Sequence, residues 1–186
     1  MTRSTQDENT AESLWQELIR DIPDFPKPGI VFKDITPLLA NHSAFHAVVE
    51  ALASRGRDAE GRPAVDKVVG IEARGFILAA PVALALDAGF VPVRKLGKLP
   101  SSTHQVSYAL EYGEETLEVH QDALAEGDRV LIVDDVLATG GTVAATADLV
   151  RNCGASVAHV AVLLELSFLN GRTQAGGLDL TALITV

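Results

Sequence analysis

One segment limits the possible folds more than any other: an apolar strand that ends in two acids and a glycine-rich turn. Residues 129–133 are Arg-Val-Leu-Ile-Val, the acids are Asp134 and Asp135, and a predicted helix over 143–152 is followed by Gly154. A strand that is apolar at successive positions is typical of a parallel sheet covered by helices on both faces. Gly154 suits the end of the helix, where glycine readily adopts a left-handed conformation. The segment therefore predicts an α/β fold.

The same order of strand, loop and helix occurs earlier in the chain. Residues 67–71 form a predicted strand, which is followed by a loop at 72–75 and an apolar helix from about 76 to 86. Further strands are predicted at 90–93 and 157–164. We therefore expect a doubly wound α/β domain with a mostly parallel sheet. Ligands bind beyond the carboxyl ends of such strands, so the loops after three of them should converge.

The remaining segments are predicted to surround this sheet within one domain over residues 1–186. A loose tail at about 1–9 precedes a helix that Thr10 could cap, and an exposed loop occupies 24–29. Asn41 is the predicted cap of a second helix. Strands around 108–111 and 116–120 should form a hairpin. The apolar face of the first helix comprises Leu14, Trp15, Leu18 and Ile19, and that of the second comprises Phe45, Val48, Val49 and Leu52.

Composition excludes several classes of protein. The formal net charge of -10 and the absence of a basic run argue against a nucleic-acid-binding protein. The polar N-terminus does not resemble a signal peptide, and no stretch approaches the ~20 apolar residues of a membrane span. Cys153 is the single cysteine, which fits a reducing cytoplasm. The five histidines lack the spacing of a metal site. We expect a cytoplasmic protein that binds neither nucleic acid nor membrane.

The turn after the two acids has the composition of a phosphate-binding loop. Gly140 and Gly141 allow the backbone to curve tightly, so that successive amides from Ala138 onward can point at one anion. The hydroxyls of Thr139 and Thr142 add donors, and the following helix adds its positive N-terminal end. The sequence therefore predicts a site for a phosphate monoester.

The acids of this segment need a ligand other than that phosphate, because like charges repel. The carboxylates of Asp134 and Asp135 can accept hydrogen bonds from a vicinal diol and can contact hydrated Mg2+ that is carried by a diphosphate. A phosphate beside a diol indicates a phosphoribose. The spacing matches neither the nucleotide-binding loop that requires Gly-Lys-Ser/Thr nor the three-glycine dinucleotide fingerprint.

Asp-Asp followed by Ala-Thr-Gly-Gly-Thr resembles the phosphoribosyl pyrophosphate motif of type I phosphoribosyltransferases. Over residues 20–172 the chain is similar to the adenine phosphoribosyltransferase family. This resemblance implies a type I phosphoribosyltransferase fold with an N-terminal base-binding hood at about 22–40 and a flexible β-hairpin lid at about 94–120. It further implies transfer from phosphoribosyl pyrophosphate to adenine, giving AMP and pyrophosphate in purine salvage, with Mg2+ bound mainly through the substrate, and a homodimer. The segments that carry it are 25–39, 72–76, 94–100 and 110–113.

The resemblance assigns the base and the diphosphate to separate segments. Val31, Phe32 and Lys33 would line the adenine pocket, although many relatives carry arginine in place of Lys33; spacing alone is equally consistent with Val31 and Phe32 as core residues of a strand. The pyrophosphate loop would comprise Glu72, Ala73, Arg74 and Gly75, with a cis peptide between Glu72 and Ala73 and Arg74 reaching the ligands. Without the resemblance, Arg74 is equally consistent with an ordinary first residue of a helix.

The lid would supply the remaining groups. Arg94, Lys95 and Lys98 concentrate positive charge that suits the leaving diphosphate. Residues from 99 to about 108 are expected to be a mobile lid that excludes water. By resemblance Glu111 is the catalytic residue that handles the purine proton and Tyr112 positions the lid or the ribose. The nearby acids Glu114, Glu115 and Glu118 are interpreted as inert surface residues.

Two other functions are compatible with a phosphoribose site. One is a regulator of the same fold that senses phosphoribosyl pyrophosphate and binds nucleic acid, which the acidic composition and the presence of Glu111 disfavour. The other is a transferase for guanine, hypoxanthine or xanthine, which the hood sequence disfavours less strongly.

Overall fold

A computed structural model describes residues 15–110 and 113–186 of the chain. The backbone divides into two compact units, Met1–Val48 and Val49–Val186. The predicted first helix is described only from Trp15, which is buried and helical, so its predicted cap lies outside the described residues. In the part of the chain that the structure describes, no helix is long and apolar enough to cross a membrane.

The first unit contains a short antiparallel hairpin. Strand β1 (Arg20–Ile22) pairs with β2 (Phe32–Asp34), and the loop between them is exposed, as predicted for 24–29. Helix α1 (Thr36–Ala40) follows, and α2 (His42–Ala53) begins after Asn41, whose side chain accepts the Ala44 N–H at 3.0 Å. The predicted cap is therefore confirmed.

A seven-stranded sheet forms the centre of the second unit. Its order is β5-β6-β4-β3-β7-β8-β9, with β4, β3, β7, β8 and β9 parallel and the β5–β6 hairpin antiparallel at one edge. This mixed α/β sheet confirms the predicted fold class. The strands are β3 (Lys67–Ile71), β4 (Gly89–Lys95), β5 (Thr103–Leu110), β6 (Gly113–His120), β7 (Arg129–Leu137), β8 (Ser156–Glu165) and β9 (Leu180–Thr185).

Helices cover the sheet and complete its core. They are α3 (Arg74–Ala85), α4 (Gly141–Asn152) and the single turn α5 (Gly171–Gln174), with 3-10 turns at Ser54–Gly56 and Ser167–Leu169. The central strand residues Val69 and Ile132 and the α4 residue Leu149 are fully buried. Burying such a side chain contributes about 1.5–3 kcal/mol, so the apolar strands that predicted the sheet also stabilise it.

Three predicted boundaries differ from the structure. Strand β7 continues through Asp134 and Asp135 to Leu137, because its pairing with β8 extends as far as Leu137 opposite Glu165. The basic residues Arg94 and Lys95 end strand β4 and do not lie in a loop. The expected mobile lid at 99 to about 108 is partly strand: residues from 103 onward join the strand predicted near 108 to form β5, which pairs along the whole length of β6. Strand β9 was not predicted.

Candidate active site

A cavity of about 270 Å³ lies at the carboxyl ends of β3, β4 and β7. Two of the three loops expected to converge do so here, with residues 72–74 after β3 and residues 138–140 after β7, whereas β4 contributes its last residue, Lys95. The lining residues are Glu72, Ala73, Arg74, Lys95, Tyr108, Glu115, Leu117, Asp134, Asp135, Val136, Leu137, Ala138, Thr139, Gly140, Thr142 and Val143.

One end of the cavity is the turn between β7 and α4. Gly140 has φ of +86°, and a Cβ atom there would lie 2.1 Å from the carbonyl oxygen of Gly171. Both the conformation and the close approach therefore require glycine. Helix α4 starts at the next residue, and the first amides of a helix have no partner within it. With the helix dipole they form a binding site for an anion.

Short segments behind this turn hold it in place. A Cβ atom on Gly171 would lie 2.3 Å from the Ala138 carbonyl oxygen, so α5 and the turn are in direct backbone contact. Next to Gly171, the Arg172 guanidinium contacts both carboxylate oxygens of Glu165 at 2.8–3.0 Å and donates to the Leu180 carbonyl at 2.9 Å. Arg172 thus joins α5 to the ends of β8 and β9.

The two aspartates in the carboxyl-terminal half of β7 are buried beside the turn. Asp134 and Asp135 are 9% and 5% exposed. Asp135 donates its N–H to Asp134 Oδ1 at 2.8 Å, and its own Oδ2 lies 2.7 Å from Nη2 of Arg74. Burial, reinforced by the charge of Asp135, raises the pKa of Asp134 well above its ordinary value. Burial also raises the pKa of Asp135, against the opposing charge of Arg74. Such carboxylates suit a ligand that donates hydrogen bonds, as a ribose diol does.

The loop after β3 forms the opposite wall of the cavity. Its Glu72-Ala73 peptide is cis, as the resemblance implies. The Glu72 carboxylate accepts the Lys95 N–H at 3.0 Å and the Arg94 guanidinium at 3.2 and 3.3 Å. Burial acts to raise the pKa of Glu72, but these hydrogen bonds outweigh it and lower the pKa. The guanidinium of Arg94 also donates to the Lys98 carbonyl at 3.2 Å. Arg94 and Lys98 therefore adjoin the wall of the cavity without lining it.

Sequence reasoning missed two polar residues in the cavity. The Tyr108 hydroxyl donates to Glu115 Oε2 at 2.9 Å and lies 3.0 Å from Thr142 Oγ1. Burial is the main cause that raises the pKa of Tyr108 to about 12. Lys95 Nζ lies 2.5 Å from Glu115 Oε1, and this hydrogen bond lowers the pKa of the Glu115 carboxyl.

The prediction that Glu115 and Glu118 lie on the surface is wrong. Glu115 lines the cavity, and Glu118 is 3% exposed and accepts the backbone N–H groups of Lys98 and Leu99, each at 3.0 Å. The alternation of β6, in which Leu117 and Val119 are apolar and buried, could have revealed Glu115 but not Glu118, which lies on the opposite face. That alternation places Glu115 on the same face as Leu117.

The structure does not test every predicted site residue. Glu111 and Tyr112 are outside the described residues. Val31, Phe32 and Lys33 belong to the first unit, where the Phe32 ring lies edge-to-face against Phe25 at 5.2 Å and Lys33 Nζ contacts Asp21 Oδ1 at 2.6 Å.

Comparisons with known proteins agree with this geometry. The family described as phosphoribosyl transferase domain matches residues 36–174. An adenine phosphoribosyltransferase of Nocardioides sp. is 71% identical over 169 residues, 91% of each chain. The solved adenine phosphoribosyltransferase of Rhodothermus marinus has a TM-score of 0.89 at 49% identity, covering 96% of this chain and 99% of its own. The Saccharomyces cerevisiae enzyme, complexed with D-2,5-dideoxy-2,5-imino-altritol 1,6-bisphosphate and adenine, has a TM-score of 0.88 at 35% identity. The match covers 94% of this chain and 99% of that enzyme.

Proposed function

Because this chain belongs to the adenine phosphoribosyltransferase family, we propose that it transfers the 5-phosphoribosyl group from phosphoribosyl pyrophosphate to adenine, giving AMP and pyrophosphate. The observation that carries the proposal is the composition of the cavity. A turn that suits a phosphate, two buried carboxylates that suit a diol and a lysine that suits a diphosphate line the same space of about 270 Å³.

Each part of phosphoribosyl pyrophosphate has a matching group. The 5-phosphate fits the amides and hydroxyls of residues 138–142 at the start of α4. The ribose hydroxyls fit Asp134 and Asp135, with Arg74 holding the second carboxylate in place. The diphosphate fits the backbone at 72–75 and the ammonium of Lys95, with Arg94 and Lys98 adding positive charge nearby.

The reaction exchanges one bond at the anomeric carbon for another. The bond from C1 to the diphosphate oxygen breaks, the bond from C1 to adenine N9 forms, and the sugar passes through an oxocarbenium-like state. Cations beside the diphosphate stabilise the charge that it gains on leaving. The N9 proton leaves adenine, and we propose Glu111 as its acceptor and Tyr112 as the residue that orders the lid.

Mg2+ fits this arrangement as part of the substrate. It prefers oxygen ligands, retains several waters and commonly binds through substrate phosphates. Among the described residues no cluster of three acidic, histidine or cysteine side chains could hold a metal ion, whereas Asp134 and Asp135 line the cavity with carboxylate oxygens of the kind that Mg2+ prefers. When bound, Mg2+ neutralises charge on the diphosphate, and these carboxylates could contact its waters.

Adenine recognition is assigned to the hood. Phe32 offers an aromatic face on which a purine can stack, and the extended backbone of Val31 and Lys33 offers groups that can read the amino group and ring nitrogen. The S. cerevisiae relative was solved with adenine, which supports this base. Lysine differs from arginine in planarity and stacking, so we expect Lys33 to affect affinity only if its side chain touches the base.

Family membership and composition support the remaining assignments. We propose that residues 1–186 act as one catalytic domain in the cytoplasm and that the protein is a homodimer. The single cysteine, Cys153, is compatible with a reducing compartment.

The test is an assay of the purified protein with phosphoribosyl pyrophosphate, Mg2+ and each of adenine, hypoxanthine, guanine and xanthine. We expect AMP from adenine, no nucleotide from the other bases, and a strongly reduced rate for Glu111→Ala. A nucleotide from another base would reassign the specificity, and the absence of any product would favour a sensor of phosphoribosyl pyrophosphate.

A further inference from the structure

The inner face of the β5–β6 hairpin changes from apolar to polar where it reaches the cavity. Val106 and Leu117 are cross-strand partners on this face, and both are packed with the main hydrophobic core. The next pair on the same face is Tyr108 and Glu115, and both line the cavity. An ionisable pair at positions that continue a buried apolar face requires compensating partners, because burying such groups costs free energy unless they are paired.

This pair connects the diphosphate side of the cavity with the phosphate turn. Glu115 contacts Lys95 at 2.5 Å through Oε1 and Tyr108 at 2.9 Å through Oε2. The same tyrosine hydroxyl lies 3.0 Å from Oγ1 of Thr142, in the first turn of α4. A single carboxylate therefore engages the lysine assigned to the diphosphate and, through one hydroxyl, a donor assigned to the 5-phosphate.

The carboxylate of Glu115 is an anion that contacts Lys95 in the place where an anionic ligand would contact it. The hydrogen bond from Lys95 keeps the pKa of Glu115 below its ordinary value, so the carboxylate is ionised near neutral pH. A diphosphate that enters the cavity carries more charge than one carboxylate and would attract the same ammonium. The side chain of Lys95 is half exposed, at 53%, and can exchange partners without crossing a packed core.

We propose that Glu115 is a positioning residue whose carboxylate is an internal placeholder for diphosphate. It holds Lys95 while no diphosphate is bound, releases the lysine when diphosphate binds and takes it back when pyrophosphate leaves. The inference rests on the proposed function of the cavity. Its consequence is that Glu115 weakens the binding of the diphosphate group and favours its departure. Tyr108 keeps the carboxylate in reach of Lys95 during the exchange.

The experiment compares Glu115→Gln with Glu114→Gln. Glutamine keeps a hydrogen-bond acceptor for Tyr108 but removes the charge, and Glu114 is the adjacent exposed glutamate that does not line the cavity. The dissociation constant of Mg-pyrophosphate is measured by titration calorimetry without adenine, and the KM for phosphoribosyl pyrophosphate and product inhibition by pyrophosphate are measured separately. Both substitutions are repeated in a Lys95→Met background.

We expect Glu115→Gln to bind pyrophosphate about two- to fivefold more tightly than the wild type, as the loss of a partly exposed ion pair predicts. The KM for phosphoribosyl pyrophosphate should fall and product inhibition should strengthen, while Glu114→Gln matches the wild type. In the Lys95→Met background the effect of Glu115→Gln should largely disappear. Unchanged or weaker binding by Glu115→Gln, or equal tightening in both backgrounds, would overturn the proposal.

The ratio of the pyrophosphate dissociation constants of Glu115→Gln and the wild type tests this proposal separately from the proposed function. If the wild type binds pyrophosphate but makes no AMP from adenine, the function fails and the comparison of variants still decides the role of Glu115. If the wild type makes AMP and Glu115→Gln binds pyrophosphate no more tightly, the function stands and the placeholder is rejected.

Discussion

At the scale of single residues, Gly75 shows how closely the acidic pair is packed. A Cβ atom at this position would lie 2.7 Å from Asp134 Oδ1 and 3.1 Å from the Val133 carbonyl oxygen. Neither neighbour can move freely, since one is a buried carboxylate and the other is strand backbone. The glycine therefore allows helix α3 to start directly against β7 at Val133 and Asp134.

We predict that Gly75→Ala displaces Asp134 and lowers kcat/KM for phosphoribosyl pyrophosphate by up to about 10²-fold, the cost of misplacing a binding group by about 1 Å. Gly89→Ala is the matched control, because its added Cβ would meet only the flexible side chain of Lys67. Steady-state kinetics of both variants check the prediction. Normal activity in Gly75→Ala would show that Asp134 does not need its present position.

The acidic pair also makes the stability of the folded protein depend on pH. The folded-state pKa of Asp134 is raised, by burial first and by the charge of Asp135 second, above an unfolded value of about 4. Between these values the folded protein binds more protons than the unfolded chain. Stability therefore falls as pH rises through this window, and the contribution of Asp134 at neutral pH is unfavourable.

Asp134→Asn should raise the melting temperature at pH 7, with a difference from wild type that shrinks as the pH falls toward about 4. The amide keeps an acceptor for the Asp135 N–H but loses the charge-assisted bond to the ribose. We expect kcat/KM to fall about 10- to 150-fold, since such a bond contributes about 1.5–3 kcal/mol. Thermal denaturation at several pH values checks this, with Asp122→Asn at an exposed site as control. A lower melting temperature at pH 7 would contradict the argument.

At the scale of elements, the contiguous parts of the site were predictable and the cross-strand parts were not. Asp134, Asp135 and the turn that follows lie in one sequence motif, so their chemistry could be inferred before their geometry was known. Tyr108 and Glu115 meet only because β5 and β6 pair in a particular register. Strand β5 was predicted only from about 108 onward, because polar Gln105 and Ser107 alternate with the inward-facing residues and resemble a loop.

Helix α5 supports the phosphate turn from behind without touching the substrate. Glu165 is 6% exposed, and Arg172 contacts both of its oxygens. Arg172→Met would leave this buried carboxylate without its guanidinium partner, at a cost of about 1–3 kcal/mol. Loss of the contact should also loosen α5 behind Gly140, which raises the KM for phosphoribosyl pyrophosphate more than it lowers kcat.

Arg151→Met is the control for this prediction, since the Arg151 side chain is about as exposed as that of Arg172 but pairs with an exposed carboxylate, Asp148, on the surface of α4. Exposed pairs of this kind contribute about 0–1 kcal/mol. Thermal denaturation and steady-state kinetics of both variants are the measurements. If the two substitutions have equal effects, Arg172 is only another surface residue.

At the scale of the whole molecule, net charge does not decide what the site binds, and the cavity itself is lined by four acidic residues beside its cations. The formal net charge is -10, yet Arg74 and Lys95 line the cavity and Arg94 lies beside it. Binding of an anionic substrate therefore depends on local cations and helix amides and not on net charge. This dependence on local charge explains why composition could exclude a nucleic-acid surface while the motif still predicted a phosphate site.

Helix α3 has an exposed apolar face that bears on how protomers assemble. Its buried face includes Leu78 and Val82, but its exposed face is also apolar, with Ile77 45% and Leu84 84% exposed and Pro81 between them. Ile77, Pro81 and Leu84 are spaced i, i+4 and i+7, so they form one stripe. A helix that is apolar on all sides is normally covered, and a two-fold interface would bring the stripes of two protomers together.

We therefore expect the wild type to be a dimer by light scattering coupled to size-exclusion chromatography, and Leu84→Lys to weaken the dimer at least tenfold, because burying a leucine contributes about 1.5–3 kcal/mol. Phe168→Lys is the control, since Phe168 is an exposed apolar residue, 69% exposed, that lies outside α3. A concentration series separates weakened association from unfolding, with the melting temperature measured alongside. A monomeric wild type, or a Leu84→Lys variant as dimeric as the control, would mean that this stripe does not form the interface between protomers.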